Sequence, residues 1–133
     1  VKNTTGIEGI MTDGNNPKIE VSYLVPSLTL AVKNKLTNCL TSIDNIDRID
    51  IIQTQFIYRN MITIGSTRFL LKLQSKYKKT DGKSDYIIYQ SGFLEKDIRV
   101  GFNGIDVKSD INKYFSKSLN KICNDMNNDI KKL

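Results

Sequence analysis

Apolar and polar positions alternate most regularly between Thr67 and Tyr77. Phe69, Leu71, Leu73 and Tyr77 fall on one side, and Arg68, Lys72, Gln74 and Lys76 on the other, with Leu70 the exception. A period of two marks a half-buried strand. Lys78-Lys79-Thr80-Asp81-Gly82-Lys83 follows, and Asp-Gly is a hairpin dipeptide because it tolerates the positive φ such turns need. A return strand is predicted over Asp85 to Leu94. Upstream, Arg48 to Arg59 is rich in Ile and aromatics, with apolar residues on both faces. It reads as a long strand that is central or twists across two environments. Residues 60–66, with Gly65, form a loop or bulge. Ile19, Val21, Tyr23 and Val25 share one face of a shorter strand that Pro26 stops.

Two segments carry the helical period instead. Leu28, Val32, Leu36, Cys39 and Ile43 recur every three or four residues, behind a Ser27 whose hydroxyl can cap the first turn. Lys33, Asn34 and Asn38 lie off that stripe. A second helix starts at Asp106 or Ser109 and carries Ile111, Phe115, Leu119 (or Ser118), Ile122, Met126, Ile130 and Leu133. Lys131 and Lys132 complement its C-terminal dipole. A loop with Gly101, Asn103 and Gly104 precedes it. Residues 1–18 are polar and glycine-bearing and are read as an irregular segment or tether, leaving 19–133 as one domain. The resulting fold class is α+β: a two-layer sandwich with two helices on one face of a mostly antiparallel sheet of about four strands.

Composition adds function classes to exclude. The chain has 133 residues, which suits one domain, and no run long enough to span a bilayer as a helix. It opens Val1-Lys2-Asn3, so it is read as a processed or truncated product whose missing N-terminus can hold a targeting signal. Without His, the commonest general base is absent, and so are Ser-His-Asp and Cys-His nucleophile systems. No phosphate loop or dinucleotide fingerprint is present. Asp44, Asp47 and Asp50 straddle a helix end and a strand start and read as a solvated connection. Asp125 to Asp129 starts like a calcium loop but has Ile130 where the turn needs Gly. Asn3-Thr4-Thr5 is a glycosylation sequon. Neither catalysis, a metal nor a cofactor is expected.

The net charge is +6, and sixteen of the twenty cations are Lys. Such charge draws anionic partners, but Lys lacks the planar fork that makes Arg specific for phosphates and bases. Frequent Lys, Ile and Asn also fit AT-rich codons, which weakens a nucleic-acid reading. The densest cationic patch is the hairpin: Arg68, Lys72 and Lys76 on a strand face and Lys78, Lys79 and Lys83 about the turn, with Tyr77, Tyr86 and Tyr89 near. It reads either as an anionic-lipid or nucleic-acid contact, or as lysines that guard a hairpin against edge-to-edge association. Cys39 and Cys123 lie at similar depths in their helices. If the helices run side by side in one direction, the sulfurs are level, and a disulfide there would add roughly 4 kcal/mol in an oxidising compartment. The other reading is two small buried hydrophobes.

The run Gly65-Ser66-Thr67-Arg68-Phe69-Leu70-Leu71-Lys72-Leu73-Gln74-Ser75-Lys76-Tyr77, followed by Thr80-Asp81-Gly82-Lys83, resembles the central hairpin of the bacterial lipopolysaccharide-assembly lipoproteins. The flanking helices from Ser27 and Asp106 also fit that family over residues 19–133. Other small outer-membrane lipoproteins, including auxiliary lipoproteins of lipid-transport ABC systems, are similar in the same respects. The resemblance implies a domain at the periplasmic face of the outer membrane, lipid-anchored through a Cys upstream of Val1. It also implies an outer-membrane β-barrel or envelope transport complex as partner, and lipopolysaccharide held by Arg68, Lys72, Lys76, Lys78 and Lys79. The Cys pair and the heavy Lys content depart from the family. The alternatives are a structural subunit of a secretion system and a small basic nucleic-acid-binding module.

Overall fold

The computed structural model describes residues 1–13, 19–22, 27–60, 64–79, 81–98 and 107–132. Its strands are β1 (Lys2–Asn3), β2 (Ile10–Asp13), β3 (Ile19–Ser22), β4 (Ile46–Asn60), β5 (Ile64–Lys78) and β6 (Ser84–Ile98), and its helices are α1 (Leu28–Cys39) and α2 (Val107–Ile130). Five strands lie in the order β3-β2-β4-β5-β6, and β1 pairs with β4 as a sixth. The β2–β3, β4–β5 and β5–β6 pairs are antiparallel; β1 and β2 run parallel to β4. Both helices pack on one face, giving the α+β sandwich expected from the two periodicities. Among the described residues no helix is long and apolar enough to cross a membrane.

The N-terminal segment departs from the expectation. Lys2–Asn3 and Ile10–Asp13 are strands, not an irregular tether, and Ile10 and Thr12 point into the core. Four residues are too few to show a period. The remainder of that segment, 14–18, falls outside the described residues, as do the stop at Pro26, the cap at Asp106, the loop with Gly101, Asn103 and Gly104, and Leu133.

The mixed pattern of β4 has a simple cause. Register shifts occur between Ile46 and Arg48 and between Ile51 and Gln53. Each adds a residue to β4 opposite β5, so side chains that would alternate change faces. Ile49 and Ile51 are buried upstream of the second shift, Thr54 and Phe56 downstream. β4 is indeed central, but the two bulges, not a change of surroundings, defeat its period. On β5 no shift intervenes: Phe69, Leu71, Leu73, Ser75 and Tyr77 are all wholly buried. Leu70, the exception to the alternation, sits half-buried on the opposite face.

In α1 the buried residues are Leu28, Val32 and Leu36. The helix stops at Cys39, earlier than expected, and Ile43 lies in a separate 3₁₀ turn (Ile43–Asn45), largely exposed. Ser27 occupies the N-cap position but makes no side-chain capping bond. Glu8 caps the helix from another segment: its carboxylate accepts from the Thr29 backbone N–H at 3.0 Å and from the Thr29 hydroxyl. At the other end, Asn127 of α2 donates to the Cys39 carbonyl at 3.1 Å and accepts from the Thr41 N–H at 2.9 Å. One of the orphan carbonyls of a helix end is thereby satisfied. α2 buries a broader stripe than its spacing alone suggested. Tyr114, Ser118 and Cys123 join Ile111, Phe115, Leu119, Ile122, Met126 and Ile130 because the helix faces both the sheet and α1.

Cys39 and Cys123 are bonded, with Cα atoms 6.4 Å apart and a sequence separation of 84. The helices run in the same direction, since Ala31 and Phe115, each eight residues before its cysteine, line one groove. The hairpin turn differs in detail from expectation: Gly82 has φ +80°, but Asp81 does not have positive φ. Gly82 N–H donates to Lys79 O at 3.1 Å and Lys79 N–H to Lys83 O at 3.0 Å, a longer loop in which Gly82 takes the left-handed conformation.

Replacing Cys39 and Cys123 by Ser is expected to lower stability by roughly 4 kcal/mol, read from denaturant titration against the oxidised chain. Intact mass measured without reductant should show no free thiol. Glu8 supplies a pH dependence. The Thr29 hydroxyl and then the Thr29 N–H hold its carboxyl below the ordinary glutamate value of 4.5. A depressed folded pKa means that this stabilisation is present above the unfolded value and fades as pH falls through the folded one. Glu8→Gln should therefore destabilise the chain slightly at pH 7 and very little at about pH 3, measured by thermal melts at both.

Candidate functional site

The three 15-residue strands β4, β5 and β6 have one face under the helices and the other uncovered. Because β5 alternates without a bulge, its even-numbered residues from Arg68 to Lys78 all take the uncovered face. Arg68, Lys72 and Lys76 are four residues apart, so they stand in a row at intervals of roughly 13 Å. β5 is flanked on both sides. Lys72 lies between Gln53 and Gln90, Lys76 between Arg48 and Tyr86, and Gln74 between Asp50 and Ile88. Tyr86 and Ile88 are 58% and 55% exposed, large values for side chains of this size within a sheet. The face is thus a cationic row alternating with Leu70 and Gln74 and bordered by apolar side chains on β6.

The six cations singled out in the sequence do not form one patch. Lys78 pairs with Asp47 at 3.2 Å and Lys79 with Asp85 at 2.8 Å. The Asp85 hydrogen bond raises the Lys79 pKa above its ordinary value. Lys76 stands over the Tyr86 ring, 5.7 Å from its centre. Lys83 belongs to the turn, where its backbone N–H donates to Asp81. Arg68 and Lys72 have no ion-pair partner among the described residues. The face, not the hairpin tip, therefore holds the available charge.

Two of the three tyrosines placed near the cations belong elsewhere. Tyr77 and Tyr89 face the helices. The Tyr77 hydroxyl lies 2.6 Å from that of Tyr89, which donates to the Asp129 carboxylate on α2. Since Tyr89 gives its proton to Asp129, Tyr77 donates to Tyr89. Burial, then these partners, pushes the Tyr89 hydroxyl far above the ordinary tyrosine range. Burial likewise raises Tyr77. This relay ties the hairpin end of the sheet to the C-terminal turn of α2 beside the disulfide. Sequence reading missed it because Asp129 is forty residues from Tyr89. The spacing signal was there: Asp129 sits three residues beyond Met126 on the inward stripe.

The aspartates at the α1–β4 connection serve as counter-ions, Asp47 to Lys78 and Asp50 to Arg48 at 2.7 Å. At the sequon, Asn3 is engaged with its neighbours: its amide donates to Ile7 O at 2.8 Å, and its oxygen accepts from the Thr5 N–H at 2.9 Å. A cleft of about 410 Å³ lies where the chain between β1 and β2 arches past the second β4 bulge. Thr4, Thr5, Thr12, Gln53 and Gln55 give it hydroxyl and amide walls, and Asp13 adds a carboxylate. Nothing in the sequence marked it, because it depends on both the unforeseen strands and the bulge.

Comparison with known proteins gives no match: no family model, no curated protein and no solved structure resembles the chain.

The relay makes an ordered prediction. Tyr89→Phe strips the partner from both Tyr77 and Asp129 and should cost about 1–3 kcal/mol, whereas Tyr77→Phe removes one donor and should cost less. Denaturant unfolding of the two variants checks the order.

Proposed function

We propose that this chain is a non-enzymatic binding domain of an outer-membrane lipoprotein, acting at the periplasmic face in lipopolysaccharide or lipid transport and docking a β-barrel or transporter partner. Its uncovered sheet face engages the anionic lipid. The observation that carries this reading is the pairing of chemistries on that face. Arg68 and Lys72 stand without counter-ions among the described residues, with Leu70 between them and with Ile88 and Tyr86 further along the same face, opposite Gln74 and Lys76. Phosphorylated lipids offer the matching combination of anionic head and apolar chain. Cations near an anionic lipid surface contribute about 1 kcal/mol each. The disulfide supports an oxidising compartment, since such bonds are rare where thiols are kept reduced. The barrel or transporter partner rests on the resemblance of the Gly65–Lys83 hairpin to the lipopolysaccharide-assembly lipoproteins.

The test is binding of the purified, oxidised chain to lipopolysaccharide and to vesicles with and without anionic lipid. Arg68→Glu with Lys72→Glu should weaken binding roughly thirtyfold, from two lost contacts. Lys78→Glu with Lys79→Glu should weaken it less, because Asp47 and Asp85 already neutralise those lysines. Equal affinity for anionic and zwitterionic vesicles, or tighter binding to nucleic acid than to lipid, would defeat the reading.

A further inference from the structure

On the edge of β4 away from β5, β1 pairs at Asp50 and Ile51 and β2 at Gln55 to Ile57. Ile52 to Thr54 have no strand partner on that side, and the chain from Thr4 to Gly9 arches past the gap to form the cleft of about 410 Å³. Its walls are braced from within. The Thr4 N–H and hydroxyl both donate to Ile51 O, at 3.0 and 2.6 Å. The Thr5 hydroxyl donates to the Asn3 side chain at 2.6 Å, and the Thr54 hydroxyl to Gly9 O at 3.2 Å. A preformed site of this kind spares a ligand the cost of ordering it.

The same bonds decide what fits. The hydroxyl protons of Thr4, Thr5 and Thr54 are committed inside the protein, so those oxygens can only accept. Gln53 and Gln55, opposite Lys72 and Leu70, make no side-chain hydrogen bond among the described residues. Each of their amides offers two donors and a carbonyl. Ile7, Met11 and Ile52, all half-buried, add apolar wall. A ligand here must donate, accept and present hydrocarbon within a short span, which hydroxyls on a carbon ring do. Other classes fit worse. An anion meets the Asp13 carboxylate and no cation in the described walls. A nucleobase finds no aromatic ring there to stack on. An extended peptide has only Ile52 to Thr54 of the β4 edge to pair with, and the arch lies beside them. Among the described residues no cluster could hold a metal ion. We propose that this cleft binds an uncharged saccharide, its hydroxyls held by the Gln53 and Gln55 amides and the Thr4 and Thr5 oxygens, and its C–H face against Met11, which pairs with Gln55. The volume lies in the range of small-molecule sites. This site takes an uncharged ligand and stands apart from the lipid-binding reading, so either can fail alone.

Amide-resolved NMR of the whole oxidised chain, titrated with glucose, maltose and N-acetylglucosamine, tests it. At least one of these sugars should give saturable shifts in the Gln53 and Gln55 side-chain amides and in the backbone of 4–9, with a Kd of roughly 1 mM. Glycerol, which has hydroxyls but no ring, should shift the same signals less at equal concentration. Gln53→Ala and Gln55→Ala should each weaken sugar binding roughly fivefold, one hydrogen-bonding side chain at a time. Both side chains lie on the uncovered face, outside the core, and a thermal melt checks that each variant folds. Should one not fold, the shifts of the unaltered chain decide alone. No saturable shift with any of these sugars overturns the proposal. So do shifts that glycerol reproduces in full, shifts confined to residues outside the cleft, or binding indifferent to both replacements.

Discussion

The uninterrupted pleat of β5 is the constraint on which the other features rest. Five alternate residues, Phe69 to Tyr77, are removed from solvent, and burial of each large apolar side chain stabilises by about 1.5–3 kcal/mol. That sum forbids a one-residue slip, because a slip would turn every core residue to water and every lysine into the core. The direction of Arg68, Lys72 and Lys76 follows from it. They need no local preference to share a face, because the core on the other side places them there. The open cationic face and the hydrophobic core are two consequences of one alternation.

β4, beside β5, cannot keep that alternation. Its core residues Ile46, Ile49, Ile51, Thr54 and Phe56 are separated by three, two, three and two, and the two bulges absorb the extra residues. The second bulge also lies where β1 and β2 part along β4, which opens the polar cleft. A local irregularity in one ladder thus changes both a face assignment and the surface beyond it. The other end of the sheet is held differently, by the Tyr77–Tyr89–Asp129 relay, by Asn127 across the end of α1, and by the disulfide. Three kinds of bond gather at the C-terminal ends of two parallel helices, which fixes the helical layer to the hairpin half of the sheet.

What could be read from the sequence divides along the same lines. The helices and the β4–β5–β6 meander are long enough for their periods to show, and β5 shows its faces residue by residue. The alternation also placed Arg68, Lys72 and Lys76 together on one face. Short elements carried no period, so Ile10–Asp13 looked like part of a tether although Asp13-Gly14-Asn15 is itself a turn signal ahead of β3. Capping was misassigned at Ser27 because the residue that caps α1 is Glu8, nineteen positions away. The cations at Lys78 and Lys79 looked available because their counter-ions, Asp47 and Asp85, lie across strands. In each case the missing information was a contact between distant residues, which spacing along the chain does not record.

The uncovered face and the bare edge of β6 bear on each other. Tyr86 and Ile88 belong to both: they border the cationic row, and they sit on the strand whose outer backbone is unpaired. Exposed apolar side chains on an edge strand are costly to leave in water and invite association. Asp85 and Glu95 bound the uncharged run Tyr86 to Leu94 but do not interrupt it. An ordered partner surface resolves this better than solvent does, since a strand added to β6 satisfies its backbone and narrows the exposure of Tyr86 and Ile88 together. Arg68 and Lys72 lie one strand further in, so they stay accessible when the edge is filled. On the proposed reading, a partner at the margin and an anionic ligand on the face would therefore not compete, with Lys76 and Tyr86 at the boundary between the two.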